Sequence, residues 1–375
     1  MTMIDFWVMA LVAASVYSYV IYPGVLLLLP KRSTSANAEA ALPTVSIIIA
    51  AHNEERRIRE KLVNTKALDY PRELMEVLVA SDCSTDDTDA IVLETNGVRL
   101  IRADEHLGKE YAQSLAVAAA TGDILVFSDT ATSVPVEAIR NLVEVFSDPV
   151  VGAVSSEDQF VTEDGSVAGE GLYVRYEMWL RSLESRLAGL VGLSGSFFAA
   201  RSSVCKEWDI VSPSDFNTAL NCARQGLVAV SSPAVIGIYK DIKNSTKEFQ
   251  RKVRTVVRGM TAVARAPVVL NPAKMGLFAF QVWSHKIMRW LVPWFLLALA
   301  ALTVLGPKTP FVSLILIGQI LFYGIAAAAW VAPAFRENGL IRIIFFFAQV
   351  NLAIAFASVQ FLSGKRITTW KPSVR

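Results

Sequence analysis

Charged side chains are scarce in this sequence. Asp, Glu, Lys and Arg together make up 19% of its 375 residues, whereas hydrophobic residues make up 53%. Because a soluble protein carries about 25% charged residues, part of this chain is expected to lie in lipid. The formal net charge is +2, which is too close to zero for a surface that binds nucleic acid.

Cysteines and nucleotide-binding glycine motifs are also scarce. The three cysteines, Cys83, Cys205 and Cys222, follow no metal-ligand spacing and would leave one thiol unpaired in any disulfide scheme. We therefore expect reduced thiols in a cytosolic domain. The sequence contains neither Gly-x-Gly-x-x-Gly nor a Walker loop, which weakens the hypotheses of a dehydrogenase and of an ATPase.

Residues 1–30 are predicted to form a transmembrane helix. The apolar run over residues 4–29 is long enough to cross a hydrocarbon core of about 30 Å. A cleavable signal peptide is the alternative, but the run is too long and no Lys or Arg precedes it. Lys31 and Arg32 follow at once, which places this end in the cytosol, and residues 31–42 are predicted to be a linker.

Beyond residue 270 the chain is apolar again. Residues 287–363 are predicted to form transmembrane helices, with apolar runs over residues 291–305, 311–331 and 343–362. Residues 271–290 are expected to form an amphipathic, interfacial segment in which His285 is an anchor, and residues 364–375 a basic tail. Four spans would put both termini outside, against the charge of this tail, so one run is alternatively re-entrant or interfacial.

Between the apolar ends, residues 43–270 have the composition of a soluble α/β domain. Apolar, β-branched runs predict strands over residues 45–51, 77–80, 98–101 and 124–127. Helical patterns alternate with them over residues 54–65, 88–95 and 108–120. This alternation predicts a mostly parallel, doubly wound sheet, which binds its ligands at the carboxyl ends of its strands.

Acidic residues stand where three of these strands end. The three loops cover residues 52–55, 81–87 and 128–132. An acid at one such place is alternatively a helix N-cap. Three acidic loops in order are harder to explain as caps, so we expect them to build a ligand site.

At this point the chain resembles the bacterial family 2 glycosyltransferases with a GT-A fold, which are related to cellulose, hyaluronan and poly-N-acetylglucosamine synthases. The resemblance covers nearly the whole chain, and the matching stretches occur in the same order as in the family. It is carried by residues 45–55, 81–88, 108–109, 127–129, 151–155, 169–177, 284–290 and 369–372.

The resemblance implies an inverting hexosyltransferase at the bacterial inner membrane, a multi-pass protein in contact with membrane lipid, with a cytosolic GT-A domain. Its donor would be a nucleotide-sugar, with UDP as the family's usual nucleotide. Its acceptor would be a polysaccharide or a lipid-linked glycan, and no nucleic acid would take part. Because so few carboxyl-terminal spans can hardly line a polymer channel, any export would need partner proteins.

The resemblance also implies the donor site. Its donor-binding residues would be Ala51, His52, Glu54, Asp82, Lys109, Ser128, Asp129, Arg251 and Arg254. A carboxylate at residue 82 accepts hydrogen bonds from the uracil N–H. Asp129 matches the first acid of the family's D-x-D motif, which holds a divalent cation, Mg2+ or Mn2+, on the diphosphate. Ala131 replaces the second acid, and the hydroxyls of Thr130 and Thr132 are weak ligands for a hard cation.

For the acceptor side, the resemblance implies that Asp215 is the general base, with Ser214 in place of a first acid. Alternatively, either residue caps the helix over residues 216–224. Gly195 and Ser196 match an acceptor-binding loop, which is alternatively a plain tight turn.

Arg251 and Arg254 lie three residues apart, as in the family's (Q/R)-x-x-R-W motif, which lies over the donor diphosphate. An amphipathic basic helix on the membrane surface is the alternative. Thr255 replaces the Trp of the motif, which weakens a hypothesis of processive polymerisation.

Three motifs therefore each lack one expected residue, at Ala131, Ser214 and Thr255. This motivates a second hypothesis, in which the chain is a catalytically weakened homologue that serves as a binding or scaffolding subunit. Nucleotide binding without turnover would distinguish it from an active transferase.

Overall fold

The computed structural model describes residues 2–33, 41–161, 172–240 and 245–366. Most of the linker, the beginning of the family-like stretch at residues 169–177 and the tail beyond residue 366 lie outside these ranges. The chain forms two compact units. One is helical and comprises Met1–Leu28, Asn244–Met260 and Gln281–Arg366; the other is an α/β unit that includes Leu29–Lys243 and Thr261–Phe280.

The α/β unit contains a sheet of seven strands among the described residues. They are β1 Val45–Ala51, β2 Met75–Ser81, β3 Val98–Arg102, β4 Ile124–Asp129, β5 Val151–Val161, β6 Phe197–Arg201 and β7 Val228–Lys240. Their order in the sheet is β3-β2-β1-β4-β6-β5-β7. β6 runs antiparallel to β4 and β5, and the other neighbouring strands pair in parallel. The predicted mostly parallel sheet is thus confirmed, and β1 to β4 lie where the sequence placed them.

Helices cover both faces of the sheet. Those of the α/β unit are α3 Ile58–Lys66, α4 Thr88–Leu93, α5 Lys109–Ala119, α6 Ala138–Val145, α7 Leu172–Ser185 and α8 Ser214–Arg224. Within β1, Ile47 and Ile49 belong to one apolar core, whereas Ile48 belongs to the other. Since successive side chains of a strand point to opposite faces, the continuous apolar run of β1 reflects burial on both sides.

The predicted helix over residues 54–65 begins later than expected, at Ile58. Asn53 has a positive φ of 52°, and the carbonyl of Glu54 accepts hydrogen bonds from both Arg57 N and Ile58 N. A left-handed residue cannot belong to a right-handed helix, so residues 53–57 form a separate turn. This turn carries the first of the three acidic loops.

The remaining helices form most of the helical unit, and all but the polar Ser245–Arg265 are apolar. They are α1 Met3–Val16, α2 Tyr22–Leu28, α9 Ser245–Arg265, α10 Pro272–Val282, α11 Met288–Leu305, α12 Pro310–Val331 and α13 Gly339–Leu362; α9 and α10 also extend into the α/β unit. Four described stretches are long and apolar enough to cross a membrane: Met3–Leu28, Pro272–Leu305, Pro310–Val331 and Gly339–Leu362. The first carboxyl-terminal span therefore starts well before residue 291.

Two π-helical turns interrupt the helices of this unit, at Tyr17–Ile21 and Trp283–Ile287. Ser284 joins them: its Oγ lies 3.0 Å from Tyr17 Oη, and its carbonyl accepts a 2.7 Å hydrogen bond from Ser18 Oγ. The two π-turns, a rare form of helix, are thus hydrogen-bonded to each other. α10 also breaks at Gly276, whose φ is 51°.

Candidate active site

The three acidic loops lie at one edge of the sheet, because β1, β2 and β4 are parallel neighbours. Asp82 N donates a 2.9 Å hydrogen bond to the carbonyl of Ala51, at the end of β1. On the other side of β1, Thr130 Oγ1 donates to the carbonyl of Ala50 at 2.8 Å. Hydrogen bonds therefore connect the ends of the three strands and the loops that follow them.

Asp82 is fixed by the loop that leads into α5. Its side chain is buried, and Oδ1 accepts hydrogen bonds from Leu107 N at 3.2 Å and from Gly108 N at 3.1 Å. Its Oδ2 lies 2.9 Å from Nδ1 of His106. One carboxylate oxygen is thus committed to the backbone, and the other faces a histidine that the sequence analysis did not single out.

His106 stacks on His52, which had been predicted to bind the donor. The ring centroids are 4.1 Å apart and the planes differ by 18°. His52, Asp82 and His106 offer possible metal-ligand atoms within 4.8 Å of one another. However, Nδ1 of His52 lies 2.6 Å from the Asp82 carbonyl, and the nitrogen lone pairs of parallel rings lie in parallel planes and do not converge. The arrangement suits a flat ring better than a metal ion.

Glu54, another predicted donor residue, is buried beneath the first loop. Its Oε2 accepts a 3.1 Å hydrogen bond from the Arg57 guanidinium. Its backbone N donates to Thr88 Oγ1 at 2.7 Å. These contacts join the turn after β1 to the start of α4, so they hold the first two loops together.

Lys109, at the first position of α5, connects the D-x-D acid to the predicted acceptor loop. Its Nζ donates to Asp129 Oδ1 at 2.5 Å and to the carbonyl of Gly195 at 2.8 Å. Asp129 N in turn donates to the carbonyl of Ser196 at 2.9 Å. Burial lowers the pKa of Lys109, but the carboxylates around it, Asp129 first, outweigh burial and raise that pKa above its usual value. The ammonium group is therefore charged at neutral pH.

Asp215 packs against the same loop. A Cβ built on Gly195 would lie 3.0 Å from Asp215 Oδ2, so the carboxylate occupies the space that the missing side chain leaves. Asp215 is also one of the charges that raise the Lys109 pKa. The structure thus brings together Asp129, Lys109, Gly195 and Asp215.

The alternative that Ser214 or Asp215 caps the helix finds no support. α8 begins at Ser214 itself, Pro213 occupies the N-cap position, and no side-chain capping hydrogen bond is formed there within the described part of the chain. Proline has no side-chain oxygen, so it cannot cap the helix as Ser or Asp would. Asp215 lies in the first turn, where a negative charge is favourable.

A buried lysine lies on the other side of the D-x-D loop and was missed from the sequence. Lys61 is 4% exposed. Its Nζ donates to Ser128 Oγ and to the carbonyl of Thr132, both at 2.7 Å. Burial lowers its pKa to about 7, against the opposing effect of Asp129. The sequence did contain an indication of this burial, because Lys61 follows Ile58 by three residues and so shares the buried face of α3.

We expect Lys61→Met to lower the stability of the α/β unit, because the Ser128 hydroxyl and the Thr132 carbonyl would lose their donor. Such a loss costs about 1–3 kcal/mol. The folded pKa of about 7 lies below the usual value of 10.5, so the wild type should gain stability relative to the variant as pH rises from 7 toward 10.5. The measurement is the thermal midpoint between pH 7 and 9.5. Lys66→Met, on the same helix, is the control, and a wild-type advantage that does not grow with pH would contradict the assignment.

Two further predicted residues, Arg251 and Arg254, lie on α9 in the helical unit. Arg251 is exposed and Arg254 is partly buried. Between them, Lys252 Nζ lies 4.1 Å from the centroid of the Phe346 ring on α13. The role of the two arginines in donor binding stays a prediction.

Comparison with known proteins gives a family and a fold. Residues 46–207 match the family described as Glycosyl transferase family 2. An N-acetylglucosaminyltransferase of Rhizobium leguminosarum bv. trifolii is 30% identical over 137 residues, which cover 34% of this chain and 74% of that protein.

Longer relatives are matched in part. A beta-monoglucosyldiacylglycerol synthase of Nostoc sp. is 26% identical over 218 residues, or 54% of this chain and 47% of that protein. A poly-beta-1,6-N-acetyl-D-glucosamine synthase of Staphylococcus aureus is 26% identical over 178 residues, or 45% of this chain and 42% of that protein. The chain thus spans about half the length, or less, of these two relatives.

Among solved structures, a mannosyltransferase of Pyrobaculum calidifontis in complex with GDP-Man and Mn2+ superposes with a TM-score of 0.73. It is 23% identical, and the match covers 97% of this chain and 100% of that chain. At this identity the likeness shows the shared fold.

Proposed function

This chain belongs to glycosyltransferase family 2, and from that membership we propose that it moves a sugar from a UDP-sugar to a polysaccharide or lipid-linked glycan, with inversion at the anomeric carbon. The observation that carries the proposal is the pair of contacts made by Lys109, which joins Asp129 to the Gly195 loop. Asp215 packs on that same loop. A cation, a D-x-D acid and a candidate base thus lie around one loop.

The donor would bind along the edge formed by the three acidic loops. The nucleobase would lie at Asp82, where Oδ1 is held by two backbone N–H groups and the imidazoles of His52 and His106 are stacked beside it. The diphosphate would lie toward Lys109, whose charged ammonium group is the nearest cation to the D-x-D acid. A helix begins at Lys109, and the positive end of its dipole favours an anion.

In the proposed transfer, Asp215 accepts the proton of the acceptor hydroxyl while the hydroxyl oxygen attacks the anomeric carbon. The bond between that carbon and the diphosphate oxygen breaks, and the nucleoside diphosphate leaves with the electron pair. Lys109 stabilises the negative charge that develops on the leaving group. Attack from the side opposite the leaving group inverts the configuration.

The residues present fit a weakly held divalent cation. Asp129 supplies one carboxylate, and its side chain is 33% exposed. In contrast, the Thr130 hydroxyl donates a hydrogen bond to the Ala50 carbonyl, and Thr132 is buried. Mg2+ in phosphate-transfer sites is often held by one or two carboxylates together with substrate phosphates and water. When bound, the cation would neutralise the diphosphate; Mn2+ in the Pyrobaculum calidifontis enzyme supports this part of the proposal.

We place the protein in the bacterial inner membrane with the α/β unit in the cytosol. The four apolar stretches support membrane insertion. Lys31 is exposed directly after the first span, which supports the cytosolic side. Arg32 is less informative, because it pairs with Asp148 at 2.8 Å.

The acceptor class rests on the relatives, whose names cover a glycolipid synthase and a polysaccharide synthase. The alternative of a scaffolding subunit predicts nucleotide binding without turnover, and no contact among the described residues favours it.

The test is an assay of sugar release and transfer by the purified full chain with a panel of UDP- and GDP-sugars, in Mn2+, Mg2+ or EDTA. We expect turnover with at least one UDP-sugar and a divalent cation. UDP binding by calorimetry without turnover on any donor would contradict the proposal.

Gly195 offers a separate test of the position of Asp215. We expect Gly195→Ala to lower the turnover of sugar transfer by on the order of 10- to 100-fold, because the new methyl group would push the Asp215 carboxylate from its position. Gly318→Ala is the control, since a Cβ there meets nothing within 4 Å. Equal turnover of both variants would show that Asp215 does not work from this position.

A further inference from the structure

Asp158, near the end of β5, has one carboxylate oxygen saturated by hydroxyl groups. Its Oδ1 accepts hydrogen bonds from Ser194 Oγ at 2.6 Å, Tyr239 Oη at 3.1 Å and Ser156 Oγ at 3.2 Å. Among the described residues no hydrogen bond reaches its Oδ2, and the side chain is partly exposed. The carboxylate is therefore held through Oδ1, and Oδ2 is available to accept a hydrogen bond from a ligand.

This carboxylate contacts the same loop, residues 194–196, as the candidate base. Ser194 Oγ lies 3.0 Å from Ser196 Oγ, and the Ser196 carbonyl holds Asp129 N. Asp158 thus contacts the loop at Ser194, whereas Asp215 packs against Gly195, the next residue. Two carboxylates flank a loop of three small residues.

The surroundings keep Asp158 rigid and polar. Burial raises the pKa of Asp158, and the Ser194 hydroxyl and the charge of Arg181 oppose that effect. Arg181 is itself held by the Gly192 carbonyl at 3.1 Å and by Ser155 Oγ at 2.6 Å. Protein partners thus hold both charged side chains, as is usual for polar groups in protein interiors.

We propose that Asp158 orients the acceptor: its Oδ2 accepts a hydrogen bond from a hydroxyl next to the one that Asp215 deprotonates. The inference rests on the proposed function and adds the chemical class of the acceptor, a vicinal diol such as that of a pyranose ring. Asp158 takes no part in binding the nucleotide. A polar side chain that reads a substrate hydroxyl gives strong discrimination against an analogue that lacks it.

The experiment uses the purified full chain and a donor on which the wild type has turnover. Two rates are measured, transfer to a sugar acceptor and release of the sugar to water. For Asp158→Asn we expect the KM for the acceptor to rise by about 10- to 100-fold, because a charged hydrogen bond is lost. Donor hydrolysis should stay within about twofold, because water needs no orienting diol. Removing one hydroxyl from the acceptor should raise the acceptor KM less for the variant than for the wild type.

Asp69→Asn, an exposed surface change, is the control for the substitution itself. If Asp158→Asn leaves the acceptor KM unchanged in a working enzyme, the inference is overturned while the proposed function stands. If hydrolysis and transfer fall in parallel and the thermal midpoint drops, Asp158 holds the fold together and the inference is likewise overturned. If the wild type turns over no donor at all, the proposed function itself fails.

Discussion

Replacing Asp215 by asparagine is expected to lower the turnover of sugar transfer by about 10²- to 10⁴-fold, the usual contribution of a general base. Asparagine has nearly the same shape, so its contact with Gly195 is retained. What is lost is the ability to accept a proton from the acceptor hydroxyl. The effect should therefore appear in kcat and not in the affinity for the nucleotide.

The measurement compares kcat for transfer with the Kd for UDP from calorimetry. The charge lost from the first turn of α8 contributes about 0.3–1 kcal/mol, so the thermal midpoint should fall only slightly. This separates catalysis from folding. Turnover within about threefold of the wild type would remove Asp215 from the mechanism.

Asp129→Asn is expected to lower kcat/KM for the donor by about 10²- to 10³-fold, the scale seen when one charge-stabilising group is removed. Two effects combine. A bound cation would lose its carboxylate ligand. Lys109 would keep the Gly195 carbonyl but lose the charge that raises its pKa against burial. Dependence of the remaining activity on Mn2+ or Mg2+ should largely disappear.

Asp123 provides the matched control, because it immediately precedes β4, at the end of that strand opposite Asp129, and is exposed. Asp123→Asn should leave kcat/KM for the donor unchanged. The assignment would be contradicted by an Asp129→Asn enzyme that keeps both its donor kcat/KM and its full response to EDTA.

The parts of the fold that follow local pattern were predictable. β1 and β4 are unbroken apolar runs, and their parallel pairing follows from the helices between strands. β5 was hidden because it carries Gly152, Ser155 and Ser156, which do not form an apolar run. Its partner β6 is inserted antiparallel beside β4, a non-local pairing that no short sequence window reveals.

The candidate site shows the same division. Asp82, Asp129 and Asp215 stand in recognisable motifs. Lys109 joins Asp129 to the Gly195 loop, on which Asp215 packs. Asp82 is held by Gly108 N, one residue before Lys109. Lys61 and Asp158 stand outside those motifs and matter through tertiary hydrogen bonds. A buried lysine on the apolar face of a helix is nevertheless a pattern that sequence reasoning can look for.

The membrane helices were predictable by length, but their irregularities were not. The turns at Tyr17–Ile21 and Trp283–Ile287 depend on hydrogen bonds between residues more than 260 positions apart. Gly276 interrupts the segment that the sequence suggested as interfacial, and the apolar helical stretch covers Pro272–Leu305.

An experimental structure of the full chain with an intact UDP-sugar and Mn2+ tests the central claim most directly. The account predicts that the uracil lies against Asp82, that the diphosphate lies within hydrogen-bonding distance of Lys109 Nζ, and that the anomeric carbon faces Asp215. A nucleotide bound away from these three side chains, or sites for its base and phosphates on separate surfaces, would contradict it.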